Sequence, residues 1–117
     1  MDELWDIEFY ETPNGEKSVE TFFDSLEEKT QAKIDKTFAM LEEFGIKLGQ
    51  PHVKKLTGTP LWELRIVGSD SIRIFYIAQT KKVFLILHAF KKKKMKTDKR
   101  EIKTALARLA EFNSRGY

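Results

Sequence analysis

The chain has 117 residues, of which 41% are hydrophobic and 33% are charged, a composition typical of one soluble domain with one core. It contains no cysteine, which excludes disulfides, thiolate nucleophiles and cysteine-ligated metal sites. No signal-peptide pattern and no apolar run near the ~20 residues of a bilayer span is visible. We therefore expect a single domain over residues 1–117 in a cytoplasmic protein that makes no contact with a membrane.

The net charge of +3 conceals a strong separation of charge along the chain. Residues 1–45 carry 13 Asp and Glu against 4 Lys and Arg, whereas residues 46–117 carry 5 against 17. The basic half is most concentrated in residues 88–100, HAFKKKKMKTDKR. Such a run predicts a polyanionic partner, most commonly RNA or DNA, although charge runs also occur as solvated loops.

The acidic half predicts a strand followed by two helices. Residues 4–10 roughly alternate apolar and acidic side chains, as a half-buried strand does, and residues 12–15 have the composition of a turn. Ser18 is a candidate N-cap and Gly45 a candidate helix stop. The apolar faces of the two helices are predicted to be Val19, Phe22, Phe23 and Leu26, and then Ile34, Phe38, Leu41 and Phe44.

The basic half predicts three strands and a last helix. Strands are expected over residues 61–67, 72–78 and 83–90, joined by short polar segments that favour antiparallel hairpins. Asp98 and Glu101 resemble a capping box for a helix that runs to about residue 113. The element order β-α-α-β-β-β-α predicts an α+β fold, in which a small antiparallel sheet carries two N-terminal helices on one face and a C-terminal helix. The buried face of the last helix is predicted to be Ile102, Ala105, Leu106, Leu109 and Phe112.

The alternation of the first two of these strands predicts two neighbouring arginines. The register that joins their apolar sets places Arg65 beside Arg73 on the less apolar face. This register requires an odd-length turn or a bulge. Two adjacent guanidiniums repel each other unless an anion lies between them, which Glu63 or a phosphate could supply.

The histidines and aromatic residues give weaker signals. His88 is expected to share a strand face with Phe84, Ile86 and Phe90, either as a partly buried histidine or as a proton-transfer group. The aromatic side chains of Trp5, Trp62 and Tyr76 are assigned to the core. No carboxylate pair, metal-ligand spacing or phosphate-binding loop is present in the sequence, so no cofactor and no metal are predicted.

Several of these segments together resemble a known family. Lys55-Leu56, LWELR at 61–65, RIFY at 73–76 and the run from His88 to Thr97 are similar to the HigB-like, phage-derived branch of the RelE/ParE toxin superfamily. Members carry a His-Gly-Phe-x-Lys-Lys-x-x-Lys-Thr-Pro segment, from which this chain departs at Ala89 and Asp98. The resemblance covers residues 50–108 in motif and the whole chain in element order.

The resemblance implies a toxin of a type II toxin–antitoxin system with the RelE-like fold. Its relatives are ribosome-dependent endonucleases that cut mRNA, so the ribosome and mRNA would be partners. A HigA-like antitoxin with a helix-turn-helix domain would hold the toxin inactive, and operator DNA would be bound only through that complex. Two alternatives remain: a ParE-type inhibitor of DNA gyrase, because the fold alone does not fix activity, and a non-catalytic nucleic-acid-binding module.

For the nuclease, the predicted chemistry is metal-free attack of the ribose 2′-OH on the adjacent phosphate, which needs a proton acceptor, cationic donors and an acid. The residues expected to act in cleavage are Arg65 and Arg73 on the phosphate, Lys92, Lys93 and Lys96 on the backbone or in proton transfer, His88 in acid–base catalysis, and Glu63 to orient Arg65. The residues expected to bind RNA alone are Lys54, Lys55, Lys91, Lys94, Lys99 and Arg100.

Overall fold

The computed structural model describes residues 3–68, 71–97 and 99–116. The first part of the chain forms one strand and two helices, followed by a single 3-10 turn at Gly45–Lys47. The second part forms four strands and a last helix. The elements are β1 (Asp6–Phe9), α1 (Ser18–Asp24), α2 (Glu28–Phe44), β2 (Val53–Lys55), β3 (Trp62–Arg65), β4 (Ile72–Gln79), β5 (Val83–Lys91) and α3 (Lys99–Ser114).

The predicted α+β element order is confirmed, and the sheet differs from the expectation in two respects. The five strands lie in the order β1-β5-β4-β3-β2, with antiparallel pairing from β2 to β5. β1 instead pairs in parallel with β5, so the sheet is mixed and not wholly antiparallel. The parallel pairing is possible because α1 and α2 lie in the long connection that follows β1. β2 was not predicted, since it has three residues, of which two are lysines.

The sheet lies between two helical layers, each with its own apolar cluster. The face covered by α1 and α2 includes the predicted side chains of both helices except Phe44, which is 50% exposed. The opposite face is covered by α3, whose predicted apolar side chains all pack there. The first cluster is centred on Val19, Ile34, Leu41, Leu64, Ile74, Tyr76, Phe84 and Ile86, and the second on Tyr10, Leu61, Phe75, Leu85, Leu87, Phe90 and Ala105.

The predicted core tryptophans are less buried than expected. Trp5 is half-buried and stacks on Phe84 with ring centroids 4.4 Å apart. Trp62 is 38% exposed, because it lies near the edge of the sheet beside the short strand β2. Tyr76 is buried, as predicted.

A β-bulge in β5 corrects the predicted face of His88. Phe75 pairs with His88 and Tyr76 pairs with Ile86, which leaves Leu87 as an extra residue. The bulge shifts the alternation, so His88 lies on the face covered by α3 and not on the face of Phe84 and Ile86. The histidine does share its face with Phe90, on which it stacks.

Candidate functional site

The bulge aligns two rows of side chains on the face of the sheet that α3 covers. Because directly paired antiparallel residues point to the same side, each row crosses several strands. The first row is Lys54, Glu63, Phe75 and His88, and the second is Arg65, Arg73 and Phe90.

Arg65 and Arg73 are direct partners in the ladder between β3 and β4, as the sequence predicted. The amide of Ile66 donates to the carbonyl oxygen of Ile72, so the connection between the paired residues is 67–71. This connection has the odd number of residues that the register of Arg65 and Arg73 requires. Glu63, which is only 2% exposed, accepts a hydrogen bond from Nε of Arg65 at 3.3 Å. The carboxylate therefore offsets part of the charge of this arginine pair and fixes one guanidinium against the sheet.

Arg73 is poorly neutralised. Its Nη1 donates to the carbonyl oxygen of Ile72 at 3.1 Å, while its buried Nε has no hydrogen-bond partner among the residues described. Burial lowers the pKa of Arg73, Glu63 opposes this effect, and the positive charge of Arg65 adds to it. A half-buried guanidinium with an unsatisfied donor beside a second guanidinium is a suitable receptor for a phosphate.

The lysine segment, residues 91–96, lies directly beside Arg73. The amide of Lys92 donates to the carbonyl oxygen of Ser71 at 2.9 Å, which joins the segment to the start of β4. Two open depressions share this segment. One, of about 240 Å³, is lined by Phe90, Lys91, Lys92, Lys93, Lys94, Lys96, Arg100 and Glu101, and the other by Ser71, Arg73, Lys92, Lys93, Lys94 and Met95.

His88 is held between two side chains of α3. Its Nε2 lies 2.9 Å from Oε1 of Glu101, and its Nδ1 lies 3.3 Å from Nη1 of Arg108, which also donates to the carbonyl oxygen of Leu87 at 2.8 Å. Because a guanidinium can only donate, Nδ1 must be the acceptor and Nε2 must carry the proton. The imidazole is thus neutral and donates to Glu101.

The charge state of His88 follows from the same contacts. Burial lowers the pKa of His88, and the nearby Arg108 lowers it further, while the hydrogen bond and charge of Glu101 act in the opposite direction. The pair with Glu101 is therefore a hydrogen bond of a neutral histidine near pH 7 and not an ion pair. Both ring nitrogens contact protein side chains, which favours a positioning role for His88 over direct acid–base catalysis.

The structure divides the residues that were expected to bind RNA alone. Lys91, Lys94 and Arg100 line the depression of about 240 Å³ together with Lys92, Lys93 and Lys96. Lys54 belongs to the row that contains Glu63, and Lys99 is exposed at the start of α3. Lys55 is separated from the site, since it pairs with Trp62 on the opposite face and its Nζ lies 5.6 Å from that ring centroid.

Two residues of this site, Glu101 and Arg108, were not predicted as functional. Glu101 was assigned to a helix cap with Asp98, which lies outside the described residues. The two side chains are seven residues apart and thus fall on the same face of a helix. A polar pair with this spacing on a helix, together with a histidine on the preceding strand, is the sequence signal that could have identified them.

The rest of the site carries no recognised cofactor pattern. Among residues 3–68, 71–97 and 99–116, histidine, aspartate and glutamate side chains form no group of three or more that could hold a metal ion. Within the same ranges, every helix is too short or too polar to cross a bilayer.

Comparisons with solved structures identify the fold. RelE in the archaeal RelE–RelB complex from Pyrococcus horikoshii OT3 superposes with a TM-score of 0.58 and 23% identity, covering 75% of this chain and 94% of that one. A double arginine mutant of E. coli toxin RelE in the free state gives a TM-score of 0.62 and 15% identity, covering 91% and 98%. At these identities the likeness establishes the fold.

Comparisons of sequence identify the family. No curated protein sequence matches the chain. The family model described as "Phage derived protein Gp49-like" matches residues 21–110, which include the second half of α1, all of α2, all strands after β1, the lysine segment and most of α3. This match confirms the resemblance found in the sequence, and the chain belongs to the Gp49-like family of phage-derived proteins, with the fold of RelE toxins.

Proposed function

We propose that this protein is a type II toxin that cleaves mRNA on the ribosome. The observation that carries the proposal is the direct pairing of Arg65 with Arg73 beside the lysine segment, on a single face of the sheet. Such a cluster concentrates positive charge where no protein carboxylate other than Glu63 contacts the arginine pair among the described residues. An RNA phosphate would relieve that repulsion.

The reaction proposed is internal transfer at phosphorus. The 2′-oxygen attacks the adjacent phosphate, the bond from phosphorus to the 5′-oxygen breaks, and a cyclic phosphate and a 5′-hydroxyl result. Arg65 and Arg73 hold the phosphate and stabilise the charge of the pentacoordinate state. Glu63 orients Arg65 through the observed hydrogen bond. Lys92, Lys93 and Lys96 hold the RNA backbone, and one of their ammonium groups protonates the leaving oxygen.

The proposed partners follow from the fold and the charge distribution. P. horikoshii RelE was solved with RelB, which supports an antitoxin partner for this chain, and we propose a HigA-like antitoxin with a helix-turn-helix domain. Operator DNA would be bound only by the complex. Because the proposed target is the translating ribosome, we propose that the toxin acts in the cytoplasm. The acidic face of α1 and α2 would point away from RNA, because like charges repel.

Inhibition of gyrase and plain RNA binding are the alternatives. The partly buried Arg73 and its unsatisfied Nε favour a phosphate-binding site over a surface for a protein partner. A non-catalytic RNA-binding module would explain the lysine segment. It would not require two arginines that are direct partners on neighbouring strands.

Induced expression in cells, with growth and mRNA 5′ ends followed, tests the proposal. Wild type should arrest growth and create new 5′ ends inside translated codons, and Arg73→Ala should do neither. Arrest with intact mRNA and impaired supercoiling would identify the gyrase inhibitor instead. Growth without arrest, together with salt-sensitive RNA binding, would identify the binding module.

A further inference from the structure

The depression of about 240 Å³ has an acidic side chain among its cations. Glu101 lines it together with Lys91, Lys92 and Arg100, although it lies on a different element from the lysines. A carboxylate in a site for a polyanion weakens the binding of that polyanion, because like charges repel. An RNA-binding surface alone gives no reason for a carboxylate there.

The position of Glu101 is fixed by a chain of contacts that begins in the sheet. Arg108 donates to the carbonyl oxygen of Leu87 and to Nδ1 of His88, and Nε2 of His88 donates to Oε1 of Glu101. The ring of His88 stacks on that of Phe90, with the two ring centroids 5.5 Å apart. The side chain of Glu101 keeps 29% of its surface exposed, whereas that of His88 keeps 14%. The histidine is therefore enclosed and the carboxylate reaches the solvent of the depression.

We propose that Glu101 is the proton acceptor for the 2′-OH and that His88 and Arg108 position it. The inference rests on the nuclease function proposed above and names the group that this function still requires. Arginine cannot accept a proton, and His88 has both ring nitrogens engaged. Glu101 is an acceptor that lines the same depression as the lysines.

The proton balance of the step is complete with groups on this chain. The 2′-OH proton passes to the carboxylate of Glu101 as the 2′-oxygen bonds to phosphorus. The bond from phosphorus to the 5′-oxygen breaks, and an ammonium group of the lysine segment protonates that oxygen. The neutral lysine and the protonated Glu101 then restore their charges by exchange with each other or with water.

The Glu101→Gln variant separates proton acceptance from folding and binding. The amide keeps the shape of the side chain and an oxygen that can accept the hydrogen bond of His88, but it is not a base. On ribosomes programmed with mRNA, its cleavage rate at saturating toxin should fall by roughly 100-fold or more. An mRNA with a 2′-deoxy nucleotide at the cleavage site lacks the attacking hydroxyl and cannot be cut. The affinity of Glu101→Gln for ribosomes that carry this mRNA should be equal to, or higher than, the affinity of wild type.

Two further variants complete the experiment. Glu101→Asp keeps the base on a shorter side chain and should recover part of the lost rate. Glu43→Gln makes the same change of charge at an exposed position of α2 and should cleave like wild type. All three should unfold at the temperature of wild type to within a few degrees.

The outcomes distinguish this inference from the function on which it rests. Cleavage by Glu101→Gln at the wild-type rate would overturn the role of Glu101 and leave the nuclease intact. Loss of cleavage in parallel with loss of binding to the 2′-deoxy substrate would also overturn it, because Glu101 would then hold the RNA. Absence of cleavage by wild type itself would overturn the proposed function.

Discussion

Gly45 is the residue at which backbone and side-chain geometry constrain the sequence most tightly. It ends α2 with φ +57° and ψ −135°, a conformation that side chains disfavour. A Cβ atom at this position would lie 2.2 Å from Nε1 of Trp5, whose ring stacks on Phe84. The glycine thus allows the segment before β1 to cover the end of α2.

Gly45→Ala should lower the free energy of unfolding by about 2 kcal/mol or more, from the strained backbone and the overlap with Trp5. Urea unfolding followed by far-UV circular dichroism measures this change. Gly49→Ala is the matched control, since a Cβ there has no heavy atom within 4 Å. It should change stability by less than about 0.5 kcal/mol. Equal effects of the two substitutions would contradict the account of Gly45.

The neutral state of His88 makes stability depend on pH. Its pKa in the folded protein lies below the ordinary value of 6.5, so at mildly acidic pH the unfolded chain binds more protons than the folded one. The contribution of neutral His88 is therefore complete above pH 6.5 and is lost as the pH falls toward the lowered pKa. Protonation of His88 at Nδ1 would also place its N–H group against the Nη1 donor of Arg108, so the hydrogen bond between the two side chains would be lost.

His88→Gln tests this dependence, because glutamine keeps a donor without titrating. The difference in unfolding free energy between wild type and His88→Gln should favour wild type most at pH 7.5 and shrink steadily toward pH 5.5. Urea unfolding at several pH values measures it. A difference that stays constant, or that grows as the pH falls, would contradict the neutral, Arg108-bound form.

At the scale of elements, the bulge in β5 decides which side chains meet. The pairing of Arg65 with Arg73 was predictable, because apolar and charged residues alternate along β3 and β4. The bulge at Leu87 was not, because β5 is buried on both faces and its apolar run has no alternation that could reveal a shift. The face of His88 was predicted wrongly for that reason, and its link to Glu101 and Arg108 was missed with it.

The C-terminal end of α3 is joined to the end of β1 by polar contacts. The hydroxyl of Tyr10 donates to Oε1 of Glu111 at 2.5 Å, and Nε of Arg115 donates to Oε2 of the same carboxylate at 2.8 Å. These hydrogen bonds lower the pKa of Glu111. The hydrogen bond from Tyr10 to Glu111 connects residues 101 positions apart in sequence, a contact that a local sequence pattern cannot predict.

Tyr10→Phe removes only the hydroxyl and should lower the melting temperature by about 2–6 °C. Amide exchange near the end of α3 should rise at the same time, because this end would dock less firmly. Tyr76→Phe is the control, a buried tyrosine on the opposite face of the sheet, and should leave exchange in α3 unchanged. Unchanged exchange in Tyr10→Phe would show that apolar packing alone holds the helix.

At the scale of the whole molecule, the charge separation seen in the sequence becomes a separation in space. Six acidic residues of the first half lie on α1 and α2, where they are exposed or half-buried, and the lysine segment follows β5 beside α3. The two helical layers hold these acidic residues and the lysine segment on opposite sides of the sheet. Such an arrangement orients the molecule toward a polyanion before contact.

Lys93→Ala should weaken RNA binding and reduce the slope of log affinity against log salt by about 0.7, the value of one phosphate contact on a single strand. Titration of a labelled, uncleavable RNA at several salt concentrations measures the slope. Lys36→Ala removes the same charge from an exposed position of α2 and should leave the slope unchanged. Equal slopes for both variants would mean that RNA is not bound at the lysine segment.

The most direct test of the account is cleavage of mRNA by the purified protein on programmed ribosomes, compared between wild type and Arg73→Ala. Wild type should cut the message within the translated frame and leave a 5′-hydroxyl end. Arg73→Ala should be at least about 100-fold slower, because one of the two phosphate-binding guanidiniums is lost, while it unfolds at the same temperature. Cleavage by Arg73→Ala at the wild-type rate would contradict the assignment of the arginine pair as the phosphate site.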